Sequence, residues 1–171
     1  MELRKITIQE YDKFFSMLES DFCLDERRTK ENELKAFSFD NFSPNFIYEG
    51  ETLIGYVCFW EFEKFIYIEH FAINSQMRGS GLGSRFLKEF SDNATKSIIL
   101  EVELPETEIA SKRIKFYERL GYVVNEYKYT QPAYQPESNP VDMHLMSFGS
   151  ALSEEEFNEY TQTIKRVVYN Q

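Results

Sequence analysis

Residues 43–73, SPNFIYEGETLIGYVCFWEFEKFIYIEHFAI, read as three consecutive strands, apolar and β-branched runs interrupted only at EGE and EFEK. A meander of this kind commits the middle of the chain to a sheet. QMRGSGLGSR (76–85) follows, with glycine at 79, 81 and 83 between two arginines, and GLGSRFLKEFSDNA then has a helical pattern. The chain therefore leaves a sheet through a bare backbone close to positive charge. Glycine lets backbone approach a ligand, and helix N-terminal N–H groups attract anions. A plain strand-to-helix turn needs one glycine, and three lower stability by propensity.

The rest of the chain supplies the other layers. MELRKIT reads as a first strand, IQEYDKFFSMLESDF as a helix, and DERRTKENELKAF (25–37) as a second, strongly charged helix covering the surface. SIILEVEL (97–104) is a strand of aliphatic and β-branched residues, and SKRIKFYERLGY (111–122) a helix stopped at Gly121. YVVNEYKYT (122–130) is strand-like, QPAYQPESNP (131–140) is a proline-punctuated loop, and VDMHLMSF is a last strand. SEEEFNEYTQTIKRVVY is a final helix, capped by Ser153 with Glu156 in the capping-box position. The order is β-α-α-β-β-β-α-β-α-β-β-α. It implies an α/β domain spanning 1–171, with a mixed sheet and helices against it.

A formal charge of −10 argues against a nucleic-acid partner and mildly favours a cationic small one. No secretory signal and no membrane-spanning apolar run is present, so the expected location is the cytoplasm, with no membrane partner. Of the two cysteines, Cys58 falls in the apolar run LIGYVCFW, where a thiol acts as a small hydrophobe. His70 and His144 are the only histidines, and no cluster has metal-ligand spacing, so no metal is expected.

Nucleotide motifs fit the glycines poorly. No Gly-Lys-Ser/Thr follows them, which removes the P-loop. A dinucleotide fingerprint would need glycine or alanine where Ser84 stands, and NSQMR separates Ile73 from Gly79 where the strand should meet the first glycine. Glu101 does lie about 20 residues on, at the right distance for a ribose-binding acid, so this reading stands as a distant alternative. Gln76-Met-Arg-Gly79-Ser-Gly81 resembles the Q/R-x-x-G-x-G/A motif of the GNAT superfamily of N-acetyltransferases. FYERLGY (116–122) is similar to that family's second signature, on the helix after the following strand. The two motifs at this spacing, and the order of elements over essentially the whole chain, carry the resemblance.

The resemblance implies a mostly antiparallel GNAT-like sheet with a splayed strand pair that takes acetyl-coenzyme A as co-substrate. It places the pyrophosphate on backbone N–H groups from Arg78 through Gly79, Ser80, Gly81, Leu82 and Gly83 to Ser84, with Arg78 and Arg85 as candidate phosphate charges. It also places Phe71, Ala72 and Ile73 along the pantetheine, one N–H facing the thioester carbonyl. Tyr117 stands where the family has its tyrosine general acid, and a phenol remains protonated at neutral pH. Glu69 holds a position where relatives often carry a base. Strand alternation gives Tyr67 the same face as Glu69 and gives His70 the opposite one.

Alternation in SIILEVEL leaves Glu101 and Glu103 on one face, either a wet sheet face or, beside Glu69, an acidic pocket for a cationic amine. The family often carries Asn where this chain has Ala110, which leaves Ser111 or Lys112 to substitute. The expected function is acetyl transfer to a primary amine of a cationic small molecule, by a monomer or homodimer. The competing reading on the same fold is a non-catalytic coenzyme A sensor, which needs neither Tyr117 nor Glu69. The segment 127–140 reads equally as a lid or as an ordinary connection.

Overall fold

The computed structural model describes residues 1–170. Eight strands form one sheet: β1 (Glu2–Lys5), β2 (Phe42–Glu49), β3 (Thr52–Glu61), β4 (Phe65–Ile73), β5 (Ser97–Glu103), β6 (Tyr122–Val124), β7 (Tyr129–Gln131) and β8 (Val141–Phe148). The helices are α1 (Tyr11–Asp21), α2 (Lys30–Ala36), α3 (Leu82–Asp92), α4 (Glu108–Glu118) and α5 (Glu154–Val167). The strand order is β1-β2-β3-β4-β5-β8-β6, with β7 also on β8. Every pairing is antiparallel except β4 with β5.

Strand alternation sends side chains to two cores. On one face Tyr56, Cys58, Trp60 and Tyr67 pack with Phe14 and Leu18 of α1, Ala36 of α2, and Phe157 and Ile164 of α5. On the other, Val57, Ile68, Ile98, Leu100 and Val102 pack with Phe86 and Leu87 of α3 and Ile114 of α4. Central strands buried on both faces explain why LIGYVCFW and SIILEVEL are nearly continuously apolar.

Among the boundaries that depart from the sequence reading, α1 starts at Tyr11, α4 spans Glu108–Glu118, and two others have a visible cause. The second helix begins only at Lys30, because the Thr29 side chain accepts the Asn32 N–H and caps it there. Residues 122–130 form two short strands instead of one. Between them Asn125 turns its buried amide inward: Nδ2 donates to the carbonyl of Leu145 (3.0 Å) and Oδ1 accepts from the Leu152 N–H (2.7 Å). The Asn125 N–H still bonds the Leu145 carbonyl of β8 (2.9 Å), and the chain leaves the sheet after it until Tyr129.

Candidate active site

The parallel ladder of β4 with β5 runs from Phe65 with Ser97 to Ile68 with Leu100 and stops there. Beyond that point the strands diverge, so Glu69 and Glu101 flank the apex of a V. A cleft of about 660 Å³ occupies it, lined from β4 by Ile68, Glu69, Phe71, Ala72 and Ile73 and from β5 by Leu100 and Glu101. α4 lines it along one stripe, Ile109, Lys112, Arg113, Phe116 and Tyr117, the i, i+3, i+4, i+7, i+8 face of a helix. Ala110 is buried and Ser111 donates to the Pro105 carbonyl, so of the two expected substitutes Lys112 alone reaches the cleft.

At the wide end of the cleft lies the glycine loop. Gly79 and Gly81 have φ of +80° and +82°, and nothing approaches within 4 Å of where a Cβ would stand. They are glycine for backbone conformation and leave open space above the loop. Gly83 serves packing: a Cβ there would meet Ile73 Cγ1 at 3.2 Å, so its absence lets α3 lie close on β4. The first helical bond of this turn runs from the Arg85 N–H to the Gly81 carbonyl (3.0 Å). The N–H groups of Leu82, Gly83 and Ser84 therefore have no intrahelical acceptor.

Gly79, Gly81, Leu82, Gly83 and Ser84 all line the cleft, whereas Ser80 turns its hydroxyl back to the Met77 carbonyl. The arginines are less free than expected. The Arg78 N–H already donates to Ser75, and its guanidinium bonds the Ile73 carbonyl and pairs with Asp21. Arg85 pairs with Glu49. Donors for an anion in this loop are thus mainly backbone.

Tyr117 is half-buried on the cleft wall, its ring edge-on to Tyr122 at 5.6 Å. Burial is the main influence on its phenol, opposed by Arg113 and reinforced by Glu103, and the result is a pKa pushed up to about 12. The hydroxyl is protonated throughout the neutral range and can act only as a donor of that proton or as a hydrogen-bonding group.

The carboxylates and their neighbours sit differently from what strand alternation predicts. The β3–β4 register steps from Cys58 with His70 to Phe59 with Ile68, which leaves Glu69 unpaired as a bulge. A bulge breaks alternation. His70 consequently lies on the same side as Glu69, not the opposite one. Its ring packs on Phe22 at 4.6 Å and its Nε2 donates to the Glu26 carbonyl (2.9 Å), while Glu69 bonds Trp60 of that same core.

Glu69 is saturated with partners. Trp60 Nε1 (2.7 Å), the Tyr134 hydroxyl (2.9 Å) and Arg28 Nη2 (2.8 Å) all converge on it. Burial raises its pKa, but Arg28, then His70 and the hydrogen bonds, outweigh that and hold the carboxyl below its ordinary value. Such a carboxylate is a weak base.

Glu101, across the apex, is in the opposite situation. Hydroxyls of Tyr129 and Tyr169 donate to it, but no cation pairs with it, and burial pushes it up to about 7 against the lowering effect of Tyr129, Tyr169 and Tyr67. Glu103 pairs with Arg113 and does not line the cleft. Tyr67 is buried beside the Tyr169 hydroxyl (3.2 Å) and also lies off the cleft wall. The expected acidic trio is therefore reduced to Glu101 with a neutralised Glu69.

Sequence reasoning missed Arg28, Trp60, Tyr129, Tyr134 and Tyr169, which come from five separate segments to surround the two acids. The density of tyrosine in YKYTQPAYQP hinted at Tyr129 and Tyr134 alone. That segment is tied down, since Gln135 and Ser138 donate to the Leu24 carbonyl. Among the described residues no group of three or more His, Cys, Asp or Glu is placed to hold a metal, and no helix is long and apolar enough to cross a membrane.

A mixed sheet splayed at one parallel pair, with a glycine loop at the wide end and a tyrosine on its wall, defines a GNAT-type fold. The model of the Acetyltransferase (GNAT) family matches residues 6–122, and the chain belongs to that family. A structure from Bacteroides thetaiotaomicron, assigned to GNAT-family acetyltransferases, superposes with a TM-score of 0.94 at 31% identity over 100% of this chain and 99% of that one. A spermidine N-acetyltransferase variant from Vibrio cholerae matches at TM-score 0.65 and 16% identity, covering 86% of this chain and 94% of the other. The ribosomal-protein-S18-alanine N-acetyltransferase from Escherichia coli matches at 0.61 and 11%, covering 90% and 96%. No curated protein sequence matches.

Proposed function

We propose that the chain transfers the acetyl group of acetyl-coenzyme A to a primary amine of a cationic small molecule. The observation that carries this is the placement of Glu101 and Tyr117 on the walls of one cleft, with the glycine loop at its wide end. Family membership supports acetyl-coenzyme A, which when bound supplies the activated acyl group. The open space over Gly79 and Gly81 and the free N–H groups of Leu82, Gly83 and Ser84 suit its pyrophosphate. The edge of β4 at Phe71, Ala72 and Ile73, unpaired beyond Ile68, suits its amide-bearing arm. The fold neighbours named for spermidine and for a ribosomal-protein alanine are both N-acetyltransferases; at their identities they speak to the fold alone.

The division of labour follows from the two environments. Glu101, poised near neutrality, takes the proton from the amine as the nitrogen–carbon bond forms. Tyr117 donates its proton to the departing sulfur as the carbon–sulfur bond breaks. Glu69, held ionised by Arg28, orients the Tyr134 hydroxyl at the apex. Glu101 is the cleft acid without a cationic partner, and with the chain's charge of −10 it favours an ammonium-bearing acceptor.

The test is thiol release with a panel of amines, each paired with a neutral analogue of matched size. The cationic member should turn over faster, and Tyr117→Phe should lower kcat on the order of 10²-fold with little change in acetyl-coenzyme A affinity. Native turnover by Tyr117→Phe would remove the leaving-group assignment. Thiol release that no amine accelerates would point to the non-catalytic reading.

A further inference from the structure

The turn after α5 reaches the apex of the cleft. Tyr169, 7% exposed, places its hydroxyl 2.9 Å from Glu101 Oε2, 3.2 Å from the Tyr67 hydroxyl and 3.3 Å from the Tyr134 hydroxyl. Tyr134 in turn donates to Glu69 Oε1 at 2.9 Å. A continuous row of oxygens therefore runs from one cleft carboxylate to the other, Glu101 to Tyr169 to Tyr134 to Glu69. The turn itself is pinned, because Arg28 Nη2 donates to the Val168 carbonyl (3.0 Å) while the same guanidinium pairs with Glu33 and Glu69.

We propose that Tyr169 is a positioning residue, which ties the turn after α5 to Glu101 and holds that carboxylate in the anionic, proton-accepting state. This rests on the reading of Glu101 as the base. A hydroxyl has one proton to give. With Glu101 ionised, Tyr169 gives it to Oε2, Tyr134 gives its own to Glu69, and Tyr67 is free to donate to the Tyr169 oxygen. Once Glu101 is protonated it donates to the Tyr169 oxygen instead, and Tyr169 can turn its proton toward Tyr134. Only the Tyr169 proton turns, Tyr134 still giving its own to Glu69, so one proton enters at Glu101 and no buried hydroxyl loses its partner.

The groups facing Glu101 are few. From β4 there are Tyr67 and, across the apex, Glu69; from β7 there is Tyr129. The connection before β8 contributes Tyr134, which bonds Tyr169, and the turn after α5 contributes Tyr169 itself. Asp21, Arg78, Lys112 and Arg113 lie further along the cleft walls. Burial and Glu69 favour the neutral acid, and the tyrosine hydroxyls favour the anion. Removing one hydroxyl shifts that balance toward the neutral acid.

Tyr169→Phe keeps the ring on Tyr134 (centroids 4.8 Å apart) and deletes the donor. Carbon-13 NMR of side-chain-labelled glutamate, with the Glu101 resonance assigned by its loss in Glu101→Gln, follows the titration without any acceptor. The Glu101 midpoint should rise by about one pH unit in Tyr169→Phe, and also in Tyr129→Phe, but by less in Tyr134→Phe, whose donor serves Glu69. The acid limb of kcat/KM should rise by the same amount, with the plateau at high pH largely kept. An unmoved midpoint in folded Tyr169→Phe, checked by its melting temperature, overturns the proposal. A midpoint that moves while the acid limb stays put upholds the role of Tyr169 and instead overturns Glu101 as the base.

Discussion

Gly81 shows how little of a functional residue can be side chain. Its φ of +82° is accessible to glycine at no steric cost, whereas a β-branched residue there is strained. No neighbouring atom stands within 4 Å, so the fold has room for a side chain and only the backbone and the space above the loop are lost. Gly81→Val should therefore leave a folded protein whose affinity for acetyl-coenzyme A is at least ~10-fold weaker, about 1.4 kcal/mol. Calorimetric titration checks this, and unchanged affinity would dismiss the loop as a phosphate site. Gly79, Gly81 and Gly83 were legible as a group because no other residue meets their backbone and packing demands. Glu69 and Glu101 were legible only as acids near one another. Which of them is spent on an ion pair depends on Arg28, 41 positions before Glu69 in the chain.

At the scale of elements, the segment before α2 and the turn after α5 are stitched through Arg28. Its side chain is buried, it pairs with Glu33 (3.0 Å) and Glu69 (2.8 Å), and it lies over the rings of Trp60 and Tyr134. Burial raises the pKa of Glu33 and Arg28 opposes that, so the guanidinium is what keeps two buried carboxylates tolerable. Removing one member of a buried ionic group leaves uncompensated charge. Arg28→Met should cost about 3–5 kcal/mol in denaturant unfolding. Adding Glu33→Gln should recover part of the loss, and a fully stable single variant would show the pairing to be dispensable. The strands and helices themselves followed from periodicity. The split at Asn125 did not, because an asparagine in a strand-like run gives no sign that its amide will be buried against Leu145 and Leu152.

Across the whole molecule, the two acids pull stability in opposite directions with pH. Glu101 has a folded pKa of about 7 against an ordinary 4.5, so the native state binds a proton more tightly than the unfolded chain. Its contribution is fully present below the unfolded value and lost as pH rises through the folded one. Glu69 is lowered, and its contribution is lost instead as pH falls through its folded value. Between about pH 5 and 8 Glu101 contributes up to about 3 kcal/mol, and Glu33, also raised by burial, acts in the same direction. Melting temperature should fall across that window in the native protein, and Glu101→Gln should flatten the decline. A decline of equal slope in the variant would assign it to other groups.

The sequence alone determined the alternation of sheet and helix, the bare loop at 76–85 and the tyrosine on the helix after β5. Each of these rests on local chemistry: periodicity, the backbone freedom of glycine, and motif spacing along contiguous segments. Tertiary structure decided which carboxylate is free. A one-residue bulge at Glu69 put His70 beside it, Glu103 pairs with Arg113 and stays off the cleft wall, and Arg28 neutralised Glu69. Ionisation in a buried site depends on desolvation and on partners from distant parts of the chain. The residues that set it, Arg28, Tyr129, Tyr134 and Tyr169, carry no local signal of meeting.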